Sequence, residues 1–366
     1  MKRTFLALAL VAGIGTAVFA DEFMLYTGEG AGIAPAAGST AIYSFFVNIV
    51  AEPFRFPLIG FFNMALGSHN LPQLGFVNSN TGDFTTVQAG FVNIVGGNFT
   101  GLQAGYINTS MGNTTGVQSG LINTSMGDTT GAQFGLINTS RGEVIGAQFG
   151  YINTSLGDTA GAQFGFINTS RGRTRGAQLG FVNSSIGALS GVQLGFINFA
   201  DSIEDGIPIG FISVVRNGGF RAVEYTFSEF FPAGVGLKLG VERFYTTISV
   251  AYDVTRDRAW ENFAIGFGIG SIIPIGGSFF FNPELTSSSA PIVHRSGTQQ
   301  LLSFVPLAGF NINRHFSVTA GPSVTWGWAR GGYDASREPF FSIVSHDIDD
   351  RHSIVVGARA ALRFRF

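Results

Sequence analysis

From residue 60 to about 213 the chain repeats one order of apolar and polar positions every 15 residues. One copy is Gly131-Ala132-Gln133-Phe134-Gly135-Leu136-Ile137-Asn138-Thr139-Ser140-Arg141-Gly142, and the next is Gly146-Ala147-Gln148-Phe149-Gly150-Tyr151-Ile152-Asn153-Thr154-Ser155-Leu156-Gly157. Glutamine recurs in this phase from Gln73 to Gln193 and asparagine from Asn48 to Asn198. A period without length changes makes each unit one structural element plus a fixed turn, stacked on its neighbours. Two or three glycines per unit, among β-branched and aromatic residues, predict strand rather than helix. At period two, one face carries Ala132, Phe134, Leu136 and Asn138 and the other Gly131, Gln133, Gly135, Ile137 and Thr139. The first face is greasy but variable: Ala89, Ala104, Ser119 and Leu179 stand where Phe134 does. Such a face suits lipid, and the strict Gly/Gln face suits a wet or close-packed interior.

From residue 220 the repeat stops but alternation continues. In the last strand Ile354, Val356, Ala358, Ala360, Leu362, Phe364 and Phe366 share one face, and Ser353, Val355, Gly357, Arg359, Ala361, Arg363 and Arg365 lie on the other. A soluble core cannot take both an unbroken apolar stripe and three arginines, whereas a membrane barrel sends the stripe to lipid and the arginines to the lumen. Eight such segments are predicted between 221 and 366. Their connections alternate between long (254–261, 287–299, 328–352) and short (Glu242-Arg243, 272–276, 312–314). Outer-membrane barrels pair long outer loops with short periplasmic turns, which puts the C-terminus in the periplasm.

Two all-β architectures accommodate the repeats. In the favoured one each unit is an antiparallel strand of a transmembrane outer-membrane β-barrel, giving about 20 strands in all. In the alternative the repeats form a β-solenoid ahead of an 8-stranded barrel, with Gln and Asn ladders in register. Position 11 of the unit tips the expectation to the large barrel: Arg141 and Arg171 alternate with Leu156 and Ile186, as turns on opposite sides of a membrane would.

Composition agrees with a barrel. The chain is 45% hydrophobic but only 12% charged, with 52 glycines and no cysteine, and charge is about half the usual quarter. Residues 1–20 read as a signal peptide: Lys2 and Arg3, an apolar run from Phe5 to Ile14, and Val18-Phe19-Ala20 as cleavage site. Its loss leaves 19 basic against 23 acidic residues, a balance too weak to imply nucleic acid. Absent cysteine removes disulfides, thiolate metal sites and a lipid anchor on cysteine. Residues 21–40 form a flexible lead-in or plug, 41–219 the repeat region, and 220–366 the barrel strands ending in Phe366.

Phe366, with Phe364 and Leu362, resembles the terminal assembly signal of bacterial outer-membrane barrels. That resemblance implies the barrel assembly machinery as a partner. The G-x-Q-x-G-φ-I-N unit is similar to the surface-repeat proteins first described in spirochaetes, which implies location rather than activity.

Candidate chemistry is sparse. Gln133, Gln148, Gln163 and Gln178 are expected to line a pore or form an interior ladder. Lys238, Glu242, Arg359, Arg363 and Arg365 are expected on the lumen wall, where a charged arc would bias ion passage or form ion pairs. Asp253, Glu224 and Glu284 extend that set. His346, Asp347, Asp349, Asp350 and His352 could hold a divalent cation, although a solvated outer loop is the plainer expectation. No catalytic set, phosphate loop or cofactor motif occurs, so an enzyme is not expected. The functional expectation is a passive, porin-like channel for small solutes in the outer-membrane lipid. The alternative is a surface adhesin or antigen that meets a host or surface ligand through loop 328–352.

Overall fold

The computed structural model describes residues 42–43, 46–51, 54–254, 262–292, 297–330, 339–349 and 351–366. The signal and lead-in expected at 1–40 lie outside them. The fold is all-β and has two parts, a parallel β-solenoid of about 11 turns and an 8-stranded antiparallel barrel. The repeats are therefore not barrel strands. The expected wall of about 20 strands is replaced by the alternative, and one physical feature explains why.

Each coil holds two short strands. In one coil these are Thr129–Phe134 and Ile137–Ser140, joined by a corner at Gly135-Leu136 and followed by a second corner at Arg141 to Glu143. Each strand pairs in parallel with the same residues one repeat on: Gln133 with Gln148, Asn138 with Asn153. The corner resets the alternation. Gln133 and Asn138, on opposite faces of a straight strand, are both fully buried here, together with Thr129 and Ser140. Arg141, Leu156, Arg171 and Ile186 consequently follow one another along a single edge, the first three donating their N–H groups to Ser125, Ser140 and Ser155 of the coil before. Their alternation carries no topological meaning.

The solenoid interior is polar, and stacking satisfies it. Asn138 donates one Nδ2 hydrogen to Asn153 Oδ1 at 2.8 Å and the other to the Phe149 carbonyl at 2.9 Å. Gln148 donates from Nε2 to Gln133 Oε1 at 2.7 Å and to the Thr154 carbonyl at 3.4 Å. The backbone acceptor fixes which end of each amide is nitrogen. The two ladders then run in opposite senses, asparagine donating toward the C-terminus and glutamine toward the N-terminus, so their dipoles oppose. The Gln ladder ends where the sequence changes: Leu58 precedes Gln73 in register and Pro208 follows Gln193. At those ends Gln73 Nε2 and Gln193 Oε1 have no hydrogen-bond partner. Glycine is favoured beside the ladder. Gly146 has φ +134°, and a Cβ there would lie 2.0 Å from the Gly131 carbonyl oxygen, a strain that glycine avoids; Thr86 holds the same position in an early coil with φ +108°.

The barrel strands are β1 (Phe220–Ser228), β2 (Ala233–Val241), β3 (Phe244–Tyr252), β4 (Phe263–Gly270), β5 (Phe279–Ile292), β6 (Gly297–Asn311), β7 (Phe316–Arg330) and β8 (His352–Arg365). Neighbours in sequence pair antiparallel, and β8 closes the barrel on β1 through pairs such as Glu224 with Arg363. The strand Val344–Asp349 pairs with the start of β8 as an extra hairpin.

The solenoid meets the barrel end-on. Val241 and Thr246, which point outward from β2 and β3, are buried by the last coil. Val241 joins Leu189, Ala200 and Val215 in one apolar cluster that closes the solenoid's open end. Thr246 Oγ1 donates to the Phe211 carbonyl at 3.0 Å. These contacts lie at the end of the barrel that carries the short turn Glu242-Arg243.

Replacing Gln163 by leucine removes its bonds to both Gln148 and Gln178 and leaves their amide groups unpaired in a dry interior. Gln163→Leu should lower unfolding stability by about 1–3 kcal/mol, read from urea denaturation of the solubilised protein. The exposed Thr115→Val should stay within about 0.5 kcal/mol of the parent. Equal midpoints for the two variants would show that the amide ladder does not hold the coils.

Candidate functional site

Two features stand out chemically: the barrel lumen and the outer surface of the solenoid. The lumen is filled in three layers. At the long-loop end the β1–β2 connection folds inward, and Phe230 and Phe231 pack with Ala264, Ala290, Leu301 and Val355. At the short-turn end Phe220, Ala222, Tyr245, Ile272 and Phe280 form a second apolar cluster. Between them lies a dry layer of charge.

In that layer the Arg363 guanidinium bonds Glu224 Oε2 at 2.7 Å through both Nε and Nη2. Arg363 also donates to Asn282 Oδ1 at 2.5 Å. Lys238 Nζ lies 3.0 Å from Glu224 Oε1 and pairs directly with Glu284. Tyr245 donates its hydroxyl hydrogen to Glu284 Oε1 at 2.6 Å. Arg359 adds a looser contact to Glu284 at 3.6 Å. Above it, Thr325 donates to Glu229 Oε1 at 2.8 Å. Lys238 and Arg363 are 0% exposed, so no water-filled path runs past them. Desolvating such ions costs several kcal/mol each, which only mutual pairing offsets.

The residues expected from sequence fall into three groups. Lys238, Arg359 and Arg363 do meet in the lumen, with Glu224 and Glu284, but as a cross-linked plug rather than a charged arc along an open wall. Glu242 and Arg365 pair at 2.8 Å near the short-turn mouth, half and one-fifth exposed. Gln133, Gln148, Gln163 and Gln178 are not pore-lining; they sit inside the solenoid, each fully buried in the ladder. Placing them in a lumen followed from the straight-strand alternation that the corner breaks.

Of the expected metal ligands, Asp350 lies outside the described residues. His346, Asp347 and Asp349 are exposed on the hairpin strand, and Asp349 pairs with His352 Nδ1 at 2.9 Å. Hydrogen bonds from the Arg351 backbone N–H and from His352 hold the Asp349 carboxyl below its usual range. Among the described residues no group of three His, Cys, Asp or Glu side chains could hold a metal ion. Tyr245, Asn282 and the inward-folded Glu229-Phe230-Phe231 were missed. The inward parity of Tyr245 and of Asn282 beside Glu284 was legible; the folding-in of a four-residue connection had no signal.

The solenoid's outer surface is divided lengthwise. The edge that carries Arg141 and Thr130 and their equivalents is mixed: Thr, Asp, Asn and Arg stand among the exposed Met111, Met126, Ile145 and Ile186. The opposite corner is apolar in every coil. Its most prominent row stacks ring on ring, with Tyr151, Phe166, Phe181, Phe196 and Phe211 spaced by 4.9 to 5.0 Å. A parallel row stacks Phe134, Phe149 and Phe164. Apart from Phe211 these rings are a third to a half exposed.

Against known proteins, no family, no curated protein and no solved structure matches the chain. The fold and its surfaces alone carry the functional conclusion.

Removing one partner from the lumen plug strands a buried charge. Arg363→Met should destabilise the barrel by about 3–5 kcal/mol, read as a lower temperature for loss of the folded, compact band on semi-native gels. Adding Glu224→Gln to Arg363→Met should recover part of that loss. Losses for Arg363→Met and Glu224→Gln alone that simply add in the double variant would show that the two side chains are not energetically coupled.

Proposed function

We propose that this chain is a bacterial outer-membrane protein whose barrel is a closed anchor rather than an open pore, and which acts through what it presents on either side. The observation that carries the proposal is the sealed lumen: two apolar plugs bracket a paired charge layer inside a barrel of only eight strands. Barrels of that size hold just enough space for side chains to fill. Membrane residence is supported by the outer wall. Tyr225, Val235, Val250, Ile265, Phe304 and Val324 project from six different strands and are exposed, while the inward positions hold the buried charges at mid-height and apolar clusters at the two ends. That alternation is the signature of a barrel spanning lipid. No helix among the described residues is long and apolar enough to cross a membrane, which says nothing of crossing by strands.

Passive solute passage would require the plug to part, so the adhesin or antigen function is preferred to the channel. The exposed hairpin around Val344–Asp349 favours it. Phe340, Ile343, Val344 and Ile348 are each more than half exposed at the long-loop end, where a surface ligand would be met. The short-turn end, with Phe366 and the solenoid, then faces the periplasm.

Two measurements test this. In planar bilayers the refolded protein should give no resolved conductance steps; steady, large steps would restore the channel. The chain has no cysteine of its own, so single cysteines report topology without background. A thiol reagent that cannot pass the outer membrane should label Ile348→Cys on intact cells, and Thr115→Cys only after permeabilisation. Labelling of Thr115→Cys on intact cells would place the solenoid outside.

A further inference from the structure

We infer that the solenoid is a membrane-surface element: its aromatic corner lies in the inner leaflet of the same bilayer that holds the barrel. The inference rests on the membrane anchoring proposed above. Three observations carry it.

The first is continuity. The ladder Tyr151, Phe166, Phe181, Phe196, Phe211 does not stop at the solenoid's end. Phe211 stacks on Phe267 of β4 at 4.9 Å and 15°, the spacing of the ladder itself. Phe267 belongs to the outward apolar row of β4, with the exposed Phe263 and Ile265. The solenoid's greasy corner is thus a direct extension of the barrel's outer wall.

The second is direction. The last coil buries Val241 and Thr246, which point out of the wall, and closes against Val241 with its open end. The stacking axis therefore leaves the barrel along the wall's normal. For a barrel upright in a bilayer, that axis runs in the membrane plane, at the level of the short-turn strand ends. About eleven coils at ~4.8 Å each reach some 50 Å from the wall.

The third is amphipathicity. Ring stacking holds neighbouring coils together, but it still leaves the outer part of each ring uncovered along the whole corner. The corner is apolar throughout, while the solenoid's charges, Asp128, Asp158, Arg141 and Arg171 among them, are confined to the opposite edge, where they stand between scattered apolar residues such as Met126 and Ile145. An apolar strip of this length is far outside what a soluble monomer exposes. An element with one greasy and one charged face settles in the interfacial plane, its apolar side buried about 5–10 Å into the headgroup and acyl boundary.

The test uses the full chain, refolded into phosphatidylethanolamine and phosphatidylglycerol vesicles that contain doxyl-labelled lipid. An environment-sensitive fluorophore is placed on Phe166→Cys in the ladder, on Thr115→Cys at the charged edge, and on Val324→Cys on the barrel's outer wall. The labels at 166 and 324 should both lose most of their fluorescence to doxyl quenching, and the label at 115 should keep its own. Quenching at 324 without quenching at 166 overturns the inference and leaves the anchor intact; a second copy or another protein then covers the ladder. Equal quenching at 115 and 166 overturns the proposed orientation. No quenching at 324 sinks the membrane anchor, and the inference with it.

Discussion

Everything in the solenoid depends on one hydrogen bond repeated at a fixed interval, the amide-to-amide contact between residue i and residue i+15. A primary amide has two donors and an acceptor, and a thin coil cannot surround it with water. Only an identical amide one coil above and below, plus a backbone carbonyl, can satisfy it. Asn138 and Gln148 show both halves of that arrangement. The constraint explains why the repeat tolerates no insertion. One extra residue would carry an amide out of register and leave two neighbours unpaired in a dry interior, at about 1–3 kcal/mol for each group. The glycines answer a different need: a φ of +134° at Gly146 would aim a Cβ at the Gly131 carbonyl oxygen of the coil before, 2.0 Å away.

A polar interior inverts the usual relation between core and surface. In most solenoids apolar side chains fill the coil and polar ones coat it. Here the filling is mostly Gln, Asn, Ser and Thr, and apart from the buried Phe84 and Phe99 the stacked aromatic rings of the corner face out. Phe84, Val95 and Phe99 form one small apolar cluster among the early coils, and two more close the ends: Val50, Leu58 and Ala65 at the first coils, and Leu189, Ala200, Val215 and Val241 at the last. The end clusters keep water out, and the last one also joins the solenoid to the barrel. The exposed ladders and the barrel's outward rows then form one continuous apolar surface, bordered by charge. The barrel lumen applies a similar principle. Its ions are buried, and they persist because Glu224 and Glu284 each meet more than one cation.

Much of this was legible in the sequence. The 15-residue period, its strand character, the in-register Gln and Asn ladders, the eight alternating segments after residue 220 and the inward Lys238, Arg359 and Arg363 all follow from spacing. What misled was the assumption that alternation runs unbroken through a unit. Gly135-Leu136 is a corner, and it lets Gln133 and Asn138, an odd number of residues apart, share the inside. Without that corner the apolar residues looked like one face of a straight barrel strand. The alternation of Arg141 and Arg171 with Leu156 and Ile186 then looked like turns on two sides of a membrane. The sealing of the lumen was not legible, because nothing local marks Glu229-Phe230-Phe231 as folding inward.

The most direct test of the account is a pair of disulfides designed across adjacent coils. Thr130 pairs with Ile145, and Thr139 with Thr154, both in parallel register, and neighbouring strands at ~4.8 Å lie within disulfide reach. One variant carries Thr130→Cys and Ile145→Cys, and the other Thr139→Cys and Thr154→Cys. The solenoid predicts that both oxidise to intramolecular disulfides in the folded protein. Antiparallel strands keep the sum of paired residue numbers constant, so they can bring one of these pairs together but never both. Formation of only one disulfide, or of neither, would contradict the stacked coil.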